Sequence, residues 1–203
     1  MRTLLVNCYL RDAEVKMPPY RRLVAQYSEV VEVLGSELRP RYDLTGFDAV
    51  VFSGSQWMLS EKEPSKELIG FVRSLQIPTL GICFGHQLLA RSFGAEVGRG
   101  KEFIDRDETI EISAPWPLFD GLDGERSADS GRWLVVMRES HREFVTLDSV
   151  RQIGWQVGAR SASCLVEAIR HPCLPLYGVQ FHPERSGENG ARLFQNFFHH
   201  IVG

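Results

Sequence analysis

The sequence predicts a single α/β domain in which helices cover both faces of a central, mostly parallel sheet, with additional antiparallel strands in the second half. Short apolar runs alternate with amphipathic segments through the first half of the chain, and the connections between them are short. This alternation is the pattern of parallel strands joined by crossover helices. The chain has 203 residues and no internal repeat or change in composition, so one domain is expected over residues 1–203.

Four strands and three helices are predicted in the first half of the chain. The strands are short apolar runs that stop at turn residues, as buried parallel strands do. The helices start near a proline or a turn and carry apolar side chains on one face. The predicted strands are Thr3–Cys8, Val30–Leu34, Phe47–Phe52 and Thr79–Cys83. The predicted helices are Pro18–Tyr27, Ser65–Leu75 and His86–Phe93, with Gly94 at the C-terminal cap of the last.

The second half of the chain favours strands over helices. Its predicted strands are Thr109–Ile112, Trp133–Met137, Arg151–Val157, Cys164–Ile169 and Leu176–Phe181. The polar, glycine-bearing segment Asp120–Arg132 predicts a surface loop. A final helix is expected over Asn189–Ile201, with a stripe of phenylalanines facing the core. Together these elements predict flavodoxin-like winding, with the active cleft at the carboxyl ends of the parallel strands.

Composition and charge narrow the function classes. The formal net charge of −3 argues against broad nucleic-acid binding, which needs a basic surface. No apolar run approaches the length that spans a membrane, and charged residues follow the N-terminal apolar run too soon for a signal peptide. The four cysteines show no CxxC pair, and the six histidines show no metal-ligand spacing. We therefore expect a cytoplasmic protein with reduced thiols that needs no metal or cofactor.

One cysteine has an unusual setting, between two glycines where a predicted strand gives way to a helix. The segment Gly81-x-Cys83-x-Gly85 has the layout of a nucleophile elbow with cysteine in place of serine. The tight turn strains the backbone and brings neighbouring chain close, so small residues are needed two positions either side. The N-terminus of the following helix favours the thiolate, the form that attacks a carbonyl. The alternative is a buried structural cysteine with incidental glycines.

A candidate base lies near the other end of the chain, in the segment YGVQFHPE. His182 follows an apolar strand, at the edge where parallel sheets gather their chemistry. Glu184 lies two residues further on and can accept a hydrogen bond from the imidazole, which stabilises the charged ring. For this motif alone, a histidine on a solvated loop is the alternative. The presence of both motifs in one chain favours a cysteine–histidine–glutamate triad.

The segments GICFGHQLLA and YGVQFHPE resemble the nucleophile and base motifs of the class I glutamine amidotransferases, and the similarity extends over nearly the whole chain. The resemblance implies Cys83 as the nucleophile, His182 as acid and base, and Glu184 as the residue that orients the imidazole. It also implies an oxyanion hole formed by the backbone N–H groups of Phe84 and Gly54.

The resemblance further implies where the substrate binds. Gln87 matches a position that helps to hold the glutamine substrate. Ser140-His141 matches a segment whose backbone meets the amino-acid end of the substrate. Arg142 follows this segment directly, so we expect it to contact the substrate as well.

Two short segments depart from the pattern of the family. Ser53-Gly54-Ser55 stands where Gly-Gly-Pro is common, so Gly54 is kept but the loop conformation is changed. Arg142 and Glu143 stand where a small residue and an aspartate are usual. Arg142 either narrows the pocket or offers a salt bridge to an α-carboxylate, which leaves the substrate open between glutamine and another γ-glutamyl compound.

The activity implied by the resemblance is that of a glutaminase. Cys83 attacks the side-chain amide of glutamine, forms a γ-glutamyl thioester and releases ammonia to a synthetase or amidating partner. No synthetase domain follows the last predicted helix, so a separate partner subunit is expected. Two alternatives stay open: a free-standing γ-glutamyl hydrolase acting on γ-glutamyl amines or peptides, and a non-catalytic binding or regulatory module. Turnover of γ-glutamyl conjugates would indicate the first, and an unreactive Cys83 thiol the second.

Overall fold

A computed structural model describes residues 1–203 and places ten strands in one sheet. The strands are β1 (Arg2–Asn7), β2 (Glu29–Leu34), β3 (Ala49–Phe52), β4 (Thr79–Ile82), β5 (Val97–Ile112), β6 (Gly124–Arg126), β7 (Trp133–Val145), β8 (Gln156–Arg160), β9 (Ala168–Arg170) and β10 (Leu176–Val179). The α-helices are α1 (Ala13–Lys16), α2 (Pro18–Val24), α3 (Lys66–Arg73), α4 (Phe84–Ser92), α5 (Leu147–Gln152) and α6 (Gly187–Asn196). A π-helical segment, Phe197–Val202, continues α6.

Half of the sheet is parallel and carries the flavodoxin-like winding. Its strands have the order β2-β1-β3-β4-β10, and every neighbouring pair among them is parallel. This is the 2-1-3-4-5 order of flavodoxin-like sheets. All residues of β3, β4 and β10 are buried, as expected for central strands with helices on both faces. The predicted fold class is confirmed.

The other half of the sheet is antiparallel and continues in the order β9-β8-β5-β7-β6. Its largest part is the β5–β7 ladder, which pairs Val97 with Val145 at one end and Ile112 with Trp133 at the other. The register shifts between Arg99 and Ile104. The sequence predicted only Thr109–Ile112 of β5 and Trp133–Met137 of β7. The rest of β5 was missed because most of it is charged and exposed. Pairing with β7 holds these residues extended in spite of their weak strand propensity.

One predicted strand, Arg151–Val157, is wrong. The chain forms helix α5 up to Gln152, turns at Gly154 and enters β8 only at Gln156. Gly154 has a φ of 74°, the left-handed conformation that ends many helices. The helix is stabilised because Val150, on one side of α5, packs into the core.

Helices cover both faces of the sheet and bury two apolar clusters. One cluster joins Tyr20 of α2 to the phenylalanines of α6 and the segment that follows, so the predicted stripe does face the core. The other joins Phe71 of α3, Leu88 of α4 and Trp155. Each fully buried side chain of this size contributes roughly 1.5–3 kcal/mol to stability. None of the helices combines the length and the apolar character needed to cross a membrane.

Candidate active site

Cys83 occupies a strained turn between β4 and α4. Its backbone angles are φ 51° and ψ −102°, outside the regions that L-residues normally adopt. A Cβ atom on Gly81 would lie 2.5 Å from the carbonyl oxygen of Gly85, and one on Gly85 would lie 2.6 Å from Cβ of Phe52. Both distances are too short for any side chain, so the two glycines allow the turn to form. This is the geometry of a nucleophile elbow.

Hydrogen bonds fix the elbow against its neighbours. The Cys83 N–H donates to the Val179 carbonyl at the end of β10 (2.8 Å), and the Gln87 N–H donates to the Cys83 carbonyl (3.0 Å). The side chain is almost completely buried. In its thiol form it donates a weak hydrogen bond to the Ser140 carbonyl of β7, with an S···O distance of 3.8 Å. Strands β4, β10 and β7 therefore meet at Cys83.

His182 and Glu184 form a buried pair just beyond β10. Nδ1 of His182 lies 2.6 Å from Oε1 of Glu184, and both side chains are almost inaccessible to solvent. The His182 N–H donates to the Arg138 carbonyl of β7 (2.8 Å). Because a carboxylate only accepts, Nδ1 carries a proton and Nε2 is the atom left for chemistry. Nε2 makes no hydrogen bond within ordinary limits of geometry.

The surroundings of His182 favour its charged form. Burial alone would lower the pKa of His182, but negative charge on Glu184 and on Cys83 outweighs burial and raises the pKa to about 10. At neutral pH the ring therefore holds a second proton whenever Cys83 is a thiolate. The thiol form and the thiolate–imidazolium form differ by the transfer of one proton from Cys83 to His182.

A cavity of about 550 Å³ connects these groups, a size common for small-molecule sites. It lies at the carboxyl ends of the parallel strands, as the sequence predicted. Eight of the nine predicted site residues line it: Cys83, Phe84, Gln87, Ser140, His141, Arg142, His182 and Glu184. The ninth, Gly54, does not line the cavity, whereas the next residue, Ser55, does.

The expected oxyanion hole has one open donor and one engaged donor. Phe84 provides the first N–H of α4, which has no partner within the helix. The Gly54 N–H instead donates to the hydroxyl of the fully buried Tyr20 (3.1 Å). The Gly54 residue remains close to the base, because a Cβ placed on it would lie 3.2 Å from Cε1 of His182. Gly54 can therefore serve as an oxyanion donor only after its bond to Tyr20 breaks.

Gln87 links the elbow helix to two strands. Its Nε2 donates to the Glu143 carbonyl of β7 (2.8 Å) and to Oε1 of Gln180 beyond β10 (2.9 Å). Both N–H groups of the amide are thus used within the protein, and Oε1 is the atom left to meet a substrate. The structure makes Gln87 a residue that positions the cavity walls.

Arg142 and Glu143, the two departures from the family pattern, have distinct roles in the structure. Arg142 donates from Nε to the Gly100 carbonyl (3.2 Å) and from a terminal nitrogen to the Lys101 carbonyl (3.1 Å), at the register shift of β5. Glu143 is buried and accepts from the Leu59 N–H (2.7 Å), the Ser60 N–H (3.1 Å) and the Ser60 hydroxyl. Arg142 therefore brings positive charge to the cavity wall, while Glu143 holds the loop that follows the Ser53–Ser55 turn.

Sequence reasoning missed two tyrosines beside the site. Tyr9 lines the cavity just after β1, and its hydroxyl lies 3.4 Å from that of Tyr20. Burial is the main effect that raises the pKa of both hydroxyls, so both stay neutral at physiological pH. The position of Tyr9 after a parallel strand was a usable signal. Tyr20 lies in α2 and is brought to the site only by packing.

The geometry is that of α/β enzymes built around a cysteine on a nucleophile elbow. Residues 14–201 match the family described as glutamine amidotransferase class-I. The match covers most of the chain, and the chain therefore belongs to the class I glutamine amidotransferases.

Curated relatives narrow the likeness within the family. A glutamine-hydrolyzing GMP synthase subunit of Thermococcus kodakarensis is 38% identical over 151 residues, covering 73% of this chain and 72% of the relative. The protein with the same name from Methanococcoides burtonii is 34% identical over 199 residues, covering 96% and 88%. The C-terminal motif GVQFHPERSGENGARLFQNFF carries a resemblance to the glutaminase part of GMP synthase, which agrees with these matches.

Solved structures show the same fold. A glutamine amidotransferase from Thermotoga maritima superposes with a TM-score of 0.70 at 19% identity, covering 96% of this chain and 81% of the other. A Thermoplasma acidophilum protein, provisionally assigned as one of the GMP synthase subunits, superposes with a TM-score of 0.76 at 23% identity, covering 98% and 92%.

Proposed function

We propose that this chain is the glutaminase component of an amidotransferase made of two subunits: it hydrolyses the side-chain amide of glutamine and supplies ammonia to a separate synthetase subunit. The observation that carries the proposal is the meeting of Cys83, His182 and Glu184 in one cavity. The relatives named as glutamine-hydrolyzing subunits of GMP synthase suggest the other subunit of that enzyme as the partner.

The chemistry proceeds through a covalent intermediate. The Cys83 thiolate bonds to the side-chain carbonyl carbon of glutamine, and the His182 imidazolium gives its proton to the departing nitrogen as the C–N bond breaks. Ammonia leaves and a γ-glutamyl thioester remains on Cys83. His182 then takes a proton from water, which attacks the thioester. Glutamate is released, and that proton restores the thiol–imidazole pair.

Two groups of residues support this reaction. The Phe84 N–H stabilises the oxyanion of each tetrahedral intermediate, together with a donor from the Ser53–Ser55 turn. Gly54 supplies that donor if its N–H leaves Tyr20. Ser140, His141 and the Oε1 atom of Gln87, which also line the cavity, meet the amino-acid end of the substrate. Arg142 lies beside them with a charge that suits the α-carboxylate.

Covalent labelling tests the proposal directly. A diazo-ketone analogue of glutamine should modify Cys83 in the full-length chain, as shown by peptide mass spectrometry. Cys173 is the matched control, because it is exposed and lies away from the cavity. Glutamine hydrolysis by the chain with its synthetase partner should be abolished by Cys83→Ala and retained by Cys173→Ser. Unchanged hydrolysis in the Cys83→Ala protein would rule the proposal out.

A second candidate function is hydrolysis of γ-glutamyl amines or peptides without a partner. The charges around the cavity favour it: Arg11, Lys16, Arg142 and Arg185 line the wall. Both lining carboxylates are engaged, Glu184 by His182 and Glu143 by the loop at residues 59–60. Arg185 is paired with Asp105, whereas Arg11, Lys16 and Arg142 have no carboxylate partner, so an anionic leaving group would find unpaired positive charge. Faster turnover of γ-glutamyl conjugates than of glutamine by the isolated chain would favour this function, and strong stimulation by a synthetase partner would oppose it.

The third alternative, a non-catalytic module, is tested by the same labelling experiment. A module without catalytic function has no need for an activated thiol. If Cys83 reacts with the diazo-ketone no faster than the exposed Cys173 does, the non-catalytic interpretation gains support over both hydrolase functions.

A further inference from the structure

A second cluster of ionisable side chains lies next to the cavity and takes no part in the triad. It consists of Glu139 and His141 of β7 and Glu167, which directly precedes β9. One ligand atom of each of the three residues lies within 4.8 Å of the others. Glu139 and Glu167 have no exposed surface, and His141 is 4% exposed. Residues two apart on a strand share a face, which explains how β7 presents two of the three groups together.

The hydrogen bond of His141 fixes which of its nitrogens carries the proton. Nδ1 lies 2.9 Å from the Glu143 carbonyl oxygen. A carbonyl only accepts, so Nδ1 is the donor. A neutral ring with its proton on Nδ1 presents the lone pair of Nε2, and this atom faces Oε2 of Glu139 at 3.3 Å.

The cluster holds more acceptors than a single proton can satisfy. Four buried acceptor atoms make no hydrogen bond: both carboxylate oxygens of Glu139, Oε2 of Glu167 and Nε2 of His141. The other Glu167 oxygen accepts from the Ser161 hydroxyl (2.6 Å). One proton joins only two of these four atoms, and two protons, one on each carboxyl group, are needed to give all four a partner. A metal cation can contact several of them at once.

We propose that Glu139, His141 and Glu167 form a binding site for one divalent transition-metal ion, with Zn²⁺ as the ion it takes first. The 3.3 Å separation of the His141 and Glu139 atoms matches the edge of a tetrahedron with metal–ligand bonds of about 2.0–2.1 Å. Mixed imidazole and carboxylate ligands suit zinc, manganese and iron(II). The bond from Nδ1–H to a carbonyl is the usual support of a ligating histidine.

The position of the site gives the ion a structural role and a route of entry. His141 lines the active-site cavity, so an ion can reach the cluster from there. Bound between β7 and Glu167, it would join two strands that are not neighbours in the sheet. Ser140 lies between the two β7 ligands, and its carbonyl accepts from the Cys83 thiol. The ion would thus fix β7 against the nucleophile without entering the reaction.

The test measures metal binding in the full-length chain with Cys83→Ala and Cys173→Ser, so that neither the catalytic nor the exposed thiol binds zinc. After treatment with a chelator, titration with zinc chloride in competition with a chromophoric chelator should show about one equivalent bound. Glu139→Gln and Glu167→Gln should each weaken binding by at least about tenfold. Glu102→Gln, the same change on exposed β5, should not. Circular dichroism checks that each variant is folded.

Cobalt(II) provides a second measurement that needs no further variant. Bound to the Cys83→Ala, Cys173→Ser parent chain, it should show visible ligand-field bands without a sulfur charge-transfer band, because the proposed ligands are nitrogen and oxygen. Failure of both metals to bind the parent chain would overturn the proposal. Unchanged metal binding in both Glu139→Gln and Glu167→Gln would also overturn it. Protons on Glu139 and Glu167 would then occupy the cluster, since burial raises the pKa of both carboxyl groups. If the variants do not fold, the cobalt spectrum of the parent decides.

Discussion

Binding of a proton by His182 contributes to the free energy of unfolding. Its pKa is about 10 in the folded chain with Cys83 as a thiolate, and near 6.5 when unfolded. Up to about pH 8.5 the unfolded chain keeps a proton on the Cys83 thiol instead, so the folded chain holds one proton more only between about pH 8.5 and 10. The stabilising contribution is complete below this interval and is lost as the pH rises through it. His182 therefore makes the fold sensitive to alkaline conditions.

Replacing His182 should remove this pH dependence. Between about pH 8.5 and 10, the free energy of unfolding of the wild type should fall relative to that of His182→Gln by up to about 1.4 kcal/mol per pH unit. Comparison with the variant cancels the contribution of the lysines and tyrosines that titrate in the same window. Urea unfolding at a series of pH values measures the difference. A constant difference across the window would show that the folded ring is not protonated.

Tyr20 competes with any oxyanion for the Gly54 N–H. Tyr20→Phe removes the hydroxyl that accepts this bond (3.1 Å) while keeping the ring in the core. If Gly54 is an oxyanion donor, kcat for glutamine should rise, by up to about 100-fold. Amide exchange at Gly54 should become faster. Tyr27→Phe is the control, because the Tyr27 ring stacks on Phe198 and its hydroxyl makes no hydrogen bond with Gly54. A fall in kcat in a folded Tyr20→Phe protein would instead make Tyr20 a support of the turn.

At the scale of elements, strand β7 controls the shape of the cavity. It supplies the Ser140 carbonyl to Cys83 and the Glu143 carbonyl to the amide of Gln87. The Glu143 side chain also accepts three hydrogen bonds from the loop at residues 59–60. Strand β7 thereby connects the elbow, helix α4 and the loop that follows the Ser53–Ser55 turn.

Glu143→Gln should loosen that loop. Leu59 and Ser60 each present a backbone N–H to a different carboxylate oxygen, and the NH2 group of glutamine cannot accept from either, so at least one of these hydrogen bonds is lost. We expect the free energy of unfolding to fall by about 1.5–3 kcal/mol. Chemical denaturation measures this, with Glu102→Gln on exposed β5 as the control. Equal stability of the two variants would show that the loop is held by other contacts.

The sequence was most informative where local pattern and burial agree. The apolar runs of β1, β3 and β4 fixed the parallel half, and glycines at positions 81 and 85 fixed the elbow. The length of β5 was not predictable, because its middle is charged and is extended only by pairing with β7. The same holds within the site. The contact of Tyr20 with Gly54 depends on how α2 packs, and the approach of Glu167 to Glu139 depends on sheet order.

At the scale of the whole molecule, the C-terminal segment closes one face of the sheet. Phe198 is fully buried in the cluster that includes Cys83, and its ring stacks on Tyr27 with centroids 5.2 Å apart. It lies in the π-helical continuation of α6, where Phe197 and Phe198 are both buried in the core. The phenylalanine stripe is thus structural throughout.

Phe198→Ala should test how much the fold depends on this segment. Removing a buried aromatic ring leaves a cavity, and we expect a loss of about 3–5 kcal/mol in the free energy of unfolding. Val136→Ala is the control, because Val136 is exposed on β7. Urea denaturation compares the two variants. A loss below about 1 kcal/mol for Phe198→Ala would show that the C-terminal segment is not anchored.

Cys83 and His182 share one point of attachment in the parallel half of the sheet. The Cys83 N–H is bonded to Val179, the last residue of β10, and His182 follows three residues later. Strand β7 supports the same pair through the Arg138 and Ser140 carbonyls. Insertions, deletions or new contacts in the edge strand β6 leave these supports untouched. The reacting pair and the periphery can therefore diverge separately, so one catalytic device can be retained while the outer surface is remodelled for different acceptor enzymes.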